Sequence, residues 1–279
     1  MEAIRINLDD YVHSGEGANG ESLNHRTESS VMVKLYNAGT PREKIEKELV
    51  FAQAIYKLGI PSPKPGEFVT DGNGRFGIKF ERIVGKKSFS RAVGENPESV
   101  EEYARRFARL CRKLHNTVVP EEGYVSVKQQ YMDILSKSDV YTPEERSLME
   151  KIIKEAPEGH TAIHGDLQFS NVITDGKSDY FIDMGDFSYG SPYFDLGMVL
   201  FTCLYDDVTF LREVFHMEPE TAARFWFWFV KEYFGENADP DEIETMLRPY
   251  AALKLLIIER DSKCALMHYH WLLGNGKRP

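Results

Sequence analysis

The stretch "HGDLQFSNVITDGKSDYFIDMGD", His164 to Asp186, decides how this chain is read. It places Asp166 and Asn171 five residues apart, and its end sets Asp183 after a short apolar run. A carboxylate beside apolar residues costs free energy unless something uses it. A hairpin through "TDGKSD" brings Asn171 and Asp183 together. An amide oxygen and a carboxylate are hard ligands, suited to Mg²⁺ carrying the phosphates of a nucleotide. Asp166 then stands beside the metal and can take a proton from an attacking hydroxyl. Each aspartate alone could be a turn residue satisfied by backbone amides. The joint spacing favours the chemical reading.

Two features earlier in the chain bear on the same chemistry. "GEGANG" sets Gly15, Gly17 and Gly20 in GxGxxG spacing. That spacing alone fits a dinucleotide fingerprint, a loop covering phosphates, or a plain flexible turn. The dinucleotide form needs a helix directly after the loop. Here "ESLNHR", a turn and a strand follow, which suits a β-hairpin lid over phosphates. Lys34 sits in "VMVKLY", amid apolar strand residues, where its ammonium needs a counter-charge. A phosphate would serve, and so would a carboxylate from the next helix, among which Glu48 borders the apolar run "LVFA". An edge-strand lysine facing solvent is the alternative.

With these residues in view, the chain resembles the aminoglycoside phosphotransferase and choline kinase-like family, over most of its length. "HGDLQFSN" looks like that family's HGDxxxxN catalytic loop, and "IDMGD" is similar to its metal-binding segment. "SPYFDLG" resembles its later structural segment, with Asp195. "LCRKLHN" resembles the helix end before the catalytic loop, and "ELVFAQAIYKLGIPSPKP" its helix C and Pro-rich strand. The resemblance implies an α+β, protein-kinase-like, two-lobed fold. A small antiparallel sheet with one helix forms the N-terminal lobe over residues 1–81, and a larger, mainly helical lobe spans 82–279. It implies ATP and Mg²⁺. Asp166 would be the catalytic base, Asn171 and Asp183 the metal ligands, and Lys34, held by Glu48, the contact to the α and β phosphates. Gly15, Gly17 and Gly20 would cover the triphosphate. "FERI", Phe80 to Ile83, matches the hinge, where the backbone of Glu81 and Ile83 would meet adenine. Gln168 and Met184 depart from the commoner residues of the family, without removing a charged catalytic group. Phe194 follows Asp183 by only 11 positions and no APE motif follows, so an acceptor smaller than a protein is expected.

The patterns around these motifs predict the elements. "IRINL" and "SVMVKLY" read as strands, with "SGEGANGESLNHRTES" between them too polar for the core. "TPREKIEKELVFAQAIYKLG" reads as a helix capped by Thr40, with Pro41 in its first turn and Gly59 at its end. "DGNG" predicts a hairpin turn. "PESVEEYARRFARLCRKLHN" is one amphipathic helix. "TPEERSLMEKIIKEA" is another, with Thr142 and Glu145 as a capping box. From about Asp195 the chain reads as helical.

Composition bounds the function. The 279 residues carry 34 Lys+Arg and 44 Asp+Glu, a net charge of −10, and nearly all of the excess falls after residue 84. No basic face is visible, so nucleic acid is not an expected partner. The acidic half fits a cationic acceptor such as an amino sugar or amino alcohol, or serves solubility alone. The cysteines, Cys111, Cys203 and Cys264, form no CxxC pair, which suits a reducing compartment. "MEAIRINLDD" lacks the apolar core of a signal peptide, and no apolar run reaches the ~20 residues of a membrane span. A cytoplasmic protein without membrane association is the expectation. Trp226, Trp228, Tyr233 and Trp271 could line a pocket for a cation, though aromatics at helical spacing more often pack a core. His268 and His270 flank Tyr269 and cannot face one way on a helix. Asp206 and Asp207 could draw an amine, or simply be solvated. A regulatory protein of the same fold with a vestigial site, and a protein kinase, are the rival readings.

Overall fold

The computed structural model describes residues 1–17 and 20–262. Two compact units divide the chain. The first holds Met1–Lys87 and Ile173–Gly185. The second holds Ser88–Val172 and the chain from Asp186 onward. The first unit therefore runs past Glu81 and also recruits a segment from the middle of the sequence. The Phe181 amide donates to the Pro61 carbonyl at 2.8 Å, tying that late segment to the loop after the unit's helix.

In the first unit, β1 (Ile4–Arg5), β2 (Tyr11–Gly17), β3 (Gly20–His25) and β4 (Val31–Tyr36) precede α1 (Arg42–Lys57). Then come β5 (Pro65–Thr70) and β6 (Phe76–Glu81). They form a six-stranded sheet in the order β1-β5-β6-β4-β3-β2. All neighbours are antiparallel except β1 and β5. Ile45 and Leu49, one turn apart on α1, pack with Tyr36, Phe68 and Ile78 of the sheet. A core side chain of this kind is worth about 1.5–3 kcal/mol.

Several local expectations are corrected here. "IRINL" gives only a two-residue strand, because Asn7 Oδ1 accepts from the Asp9 amide and turns the chain into a short 3-10 segment, Leu8–Asp10. The polar stretch after it contributes to β2 and β3, the hairpin that its glycine spacing and the following strand suggest, and β2 at the sheet edge lets polar side chains face water. Thr40 does not cap α1. Pro41 takes the N-cap position, with no side-chain hydrogen bond. Gly59 does end that helix, at φ 75°: its amide donates to Tyr56 O and the Ile60 amide to Ile55 O, closing the last turn. The "DGNG" turn forms as expected, with Asp71 Oδ1 accepting from the amides of Asn73 and Arg75.

The order continues with β7 (Lys87–Ser88), α2 (Phe89–Glu95), α3 (Val100–His115), α4 (Val127–Lys137) and α5 (Pro143–Glu155). β8 (Thr161–Ile163), β9 (Val172–Thr174), β10 (Asp179–Phe181) and β11 (Ser188–Gly190) follow. The chain then runs through α6 (Tyr193–Leu204), α7 (Val208–Phe215), α8 (Pro219–Phe234), α9 (Pro240–Ala252) and α10 (Lys254–Ser262). The short strands pair as β10-β9-β7 and β11-β8. The sequence pattern missed α2, which Ser88 caps through the Arg91 amide. The single helix expected from Pro97 begins only at Val100, after a 3-10 turn. Thr142 and Glu145 form the capping box.

The core of the second unit is aromatic. Phe107 of α3 meets Phe225 and Phe229 of α8, with ring centroids 5.6 and 5.7 Å apart. Trp226 is buried among them, so this part of "FWFWFV" is core, as helical spacing suggests. Trp228 instead lies under the Arg105 guanidinium, 4.8 Å from its ring. Trp271, His268 and His270 lie outside the described residues. Among the described residues no helix is long and apolar enough to cross a membrane.

Candidate active site

Within the first unit, Lys34 projects from the middle of β4. Its Nζ donates to Glu48 Oε1 of α1 at 3.0 Å and to Asp183 Oδ1 at 2.8 Å. Burial opposes the charge on Lys34. The Asp183 and Glu48 carboxylates outweigh it and hold the amine above its usual pKa. Asp183 lies two residues beyond β10, in a turn and not in the strand, with φ 55°. It is one of two non-glycine residues with positive φ among those described. Such a conformation is uncommon outside glycine, and its cost, of order 1–3 kcal/mol, is often met at functional sites.

The glycines and the hinge segment lie in the same unit. Gly15 and Gly17 belong to β2 and Gly20 opens β3, so the motif straddles a hairpin. Gly20 has φ 156° and pairs with Tyr36. A Cβ there would come within 2.3 Å of the Leu35 carbonyl oxygen, so close approach to β4 already requires this glycine. A Cβ on Gly15 would meet nothing within 4 Å. The Glu81 amide is taken by the Lys64 carbonyl at 2.8 Å. Ile83 is buried, and its amide has no hydrogen-bond partner among the described residues.

Within the second unit, Asp166 sits in the loop between β8 and β9. Phe169 anchors that loop: it is fully buried, with ring centroids 5.0 Å from Phe215 and 5.2 Å from Phe225. Asp195, at the start of α6, holds the backbone. Its carboxylate accepts from the amides of His164 at 2.7 Å and Gly165 at 3.0 Å, and it faces His115 Nε2 at 3.2 Å. Gly165 has φ 87°, and a Cβ there would lie 2.3 Å from the Asp186 carbonyl oxygen, so no other residue fits.

The Asn171 side chain donates its amide nitrogen to the Asp166 carbonyl at 2.9 Å and to Asp166 Oδ2 at 3.1 Å. Two acceptors on one side fix the orientation of the amide and leave Oδ1 of the buried Asn171 as its acceptor end. Asp166 Oδ2 also accepts from Gln168 at 3.3 Å. Burial would raise the Asp166 pKa, but the Lys254 ammonium, with help from His164 and Asn171, takes it below the usual carboxylate value.

Two cations in the site were not read from the sequence. Lys254, first residue of α10, donates from Nζ to Asp166 Oδ1 at 2.6 Å and is only 8% exposed. Arg260, on the same helix, makes a two-pronged pair with Asp186 at 2.9 and 2.7 Å. The test that singled out Lys34, a lysine amid apolar residues, applies equally to Lys254 in "ALKLLII". Other aspartates are structural. Asp175 Oδ1 accepts from the amides of Lys177 and Ser178 in the β9–β10 turn. Asp207 caps α7 through the amides of Thr209 and Phe210.

The model of the phosphotransferase enzyme family matches residues 17–225 of this chain. The chain belongs to that family. By family it is an enzyme, a small-molecule kinase, and its α+β fold is kinase-like. No curated protein matches it. Solved structures share its fold. One is a thermostable mutant of the aminoglycoside phosphotransferase APH(4)-Ia, in complex with AMP-PNP and hygromycin B. It is 11% identical with a TM-score of 0.64, over 97% of this chain and 95% of that one. A choline/ethanolamine kinase family protein from Mesorhizobium loti is 16% identical with a TM-score of 0.55, over 95% and 84%. An amicoumacin kinase in complex with AMP-PNP, Ca²⁺ and its antibiotic is 14% identical with a TM-score of 0.57, over 98% and 90%.

Proposed function

We propose that this phosphotransferase moves the γ-phosphoryl group of ATP onto a hydroxyl of a small molecule. The observation that carries this reading is the pairing of Asn171 with Asp166. It commits the amide nitrogen of Asn171 to the loop, so that its side-chain oxygen is the atom it would offer a metal, beside a carboxylate. In the reaction the acceptor oxygen bonds to the γ-phosphorus and the bond from that phosphorus to the β,γ-bridging oxygen breaks. ADP leaves, and the hydroxyl proton goes to Asp166. Lys34, kept charged by Glu48, would hold the α and β phosphates. Gly15 to Gly20 would cover the triphosphate, and the Ile83 amide with the Glu81 carbonyl would meet adenine.

Asn171 Oδ1 and the Asp183 carboxylate would hold Mg²⁺. Among the described residues no group of three or more His, Cys, Asp or Glu side chains forms a metal cage. Mg²⁺ needs none when water and substrate phosphates complete its shell. When bound, it would neutralise charge on the β and γ phosphates. AMP-PNP in two structural relatives, one with Ca²⁺, supports a nucleotide and a divalent cation here. Their antibiotics support a small acceptor, and the net charge of −10 favours one bearing amines. Cys111 and Cys203 are free thiols, which suits the cytoplasm.

The test is a panel of amino sugars, amino alcohols, aminoglycosides and neutral hydroxyl compounds, read by coupled ADP detection. ADP formation with one class, and no phosphate transfer to proteins of a cell extract, is expected. ATP with Mg²⁺ that neither raises the melting temperature nor yields ADP with any acceptor would remove the reading.

A further inference from the structure

Lys254 has no part in the transfer as described so far, yet its ammonium is in contact with the proposed base. A carboxylate offers about four lone-pair positions. On Asp166, Oδ2 accepts from Asn171 at 3.1 Å and from Gln168 at 3.3 Å, which fills that oxygen. Oδ1 accepts from Lys254 at 2.6 Å, which fills half of the other. The position left for a hydroxyl proton is therefore on Oδ1, next to the Lys254 ammonium. That ammonium carries three N–H groups and spends one on Asp166. Its side chain is 10% exposed, so water screens it little.

We propose that Lys254 is a catalytic residue of the acceptor side, sharing Oδ1 of Asp166 with the incoming hydroxyl. This rests on the phosphotransferase reading above. As the hydroxyl proton passes to Oδ1, a spare N–H of Lys254 donates to the acceptor oxygen or to the phosphoryl oxygens moving onto it. Charge develops there in a site with little water, where a fixed donor is worth most. The lysine also holds the carboxylate in one orientation, since its ammonium is fixed on Oδ1 of the half-buried Asp166. The cation comes from α10 and not from the catalytic loop, 88 residues away in sequence.

The test compares the wild type with Lys254→Met and Lys254→Arg. ADP formation from ATP and Mg²⁺ is followed with water and with the acceptor panel, alongside ATP affinity by calorimetry and melting temperature. The Met variant should lose roughly 10²-fold in rate, the usual effect of removing one charge-stabilising donor. Its ATP affinity should stay within about twofold, because the proposed contact forms only as the phosphoryl group moves onto the acceptor. The Arg variant, keeping the charge, should recover most of the rate. Where Lys254→Met fails to fold, Lys254→Gln carries the same comparison. A Met or Gln variant at or above the wild-type rate overturns the inference, as does a folded Arg variant as slow as they are. A wild type that neither binds ATP nor forms ADP with any acceptor instead fails the phosphotransferase reading itself.

Discussion

The carboxylate of Asp195 receives the backbone amide of Gly165, the residue immediately before Asp166, at 3.0 Å. It also takes the His164 amide at 2.7 Å. A fully buried side chain on α6 thus fixes the backbone that aims the proposed base. Asp195→Ala leaves both amides and His115 without their acceptor. Each buried donor left unpaired costs about 1–3 kcal/mol. The variant should melt several degrees lower, and a folded fraction should turn over slowly with near-normal ATP affinity. Thermal melting with calorimetry checks this. An unchanged melting temperature would mean that water replaces the carboxylate.

The Lys34 pair makes the opposite prediction. Lys34→Met removes the cation that Glu48 and Asp183 share. ATP affinity should fall at least tenfold, about 1.4 kcal/mol, because the proposed phosphate contact is lost. The stability change should be smaller, since Asp183 is more than half exposed. Calorimetric ATP titration decides it. Wild-type affinity in the variant would return Lys34 to a structural ion pair.

Asp206 gives a pH signature. Burial is the main cause that raises its carboxyl to about 6 from 3.8, against the Asp207 amide and Lys254, which lower it. The folded state therefore holds a proton that the unfolded state has released between about pH 4 and 6, so this group makes stability fall as pH rises through that window. Above it the penalty is complete. Asp206→Asn removes the penalty and should be more stable than wild type at pH 7 by about 1–2 kcal/mol, allowing for screening. The gap should close near pH 4. Melting curves over pH 4–8 test it, and parallel curves would contradict it.

The proposed metal ligand has its own test. Asp183→Asn should weaken the dependence of ATP binding on Mg²⁺ and abolish turnover, while leaving the left-handed turn in place, since asparagine tolerates positive φ. ATP titrations with and without Mg²⁺ measure this. Wild-type Mg²⁺ dependence and rate in the variant would exclude Asp183 as a ligand.

Sequence made much of this legible where structure is local. Asp166 and Asn171 are hydrogen-bonded five residues apart, and a loop that short is written in its own motif. The Lys34–Glu48 contact could be anticipated because a strand and the helix after it must pack, and a buried lysine needs a partner. Lys254 and Arg260 could not be placed, because their contacts with Asp166 and Asp186 depend on how α10 folds back over the helical unit. The β2–β3 hairpin was legible from its glycine spacing and the strand that follows, although β2, at the sheet edge, carries no apolar pattern. Thr40 failed as a cap because Pro41 took the position.

The central claim is that Asp166 takes the acceptor's proton and does not hold the nucleotide. Asp166→Asn keeps the side chain's size and removes its charge. ATP affinity by calorimetry and steady-state rate with the best acceptor of the panel are measured together. Affinity within about twofold of wild type, with turnover down roughly two to four orders of magnitude, is the predicted result. Normal turnover, or a loss of ATP binding in proportion to the loss of rate, would contradict it.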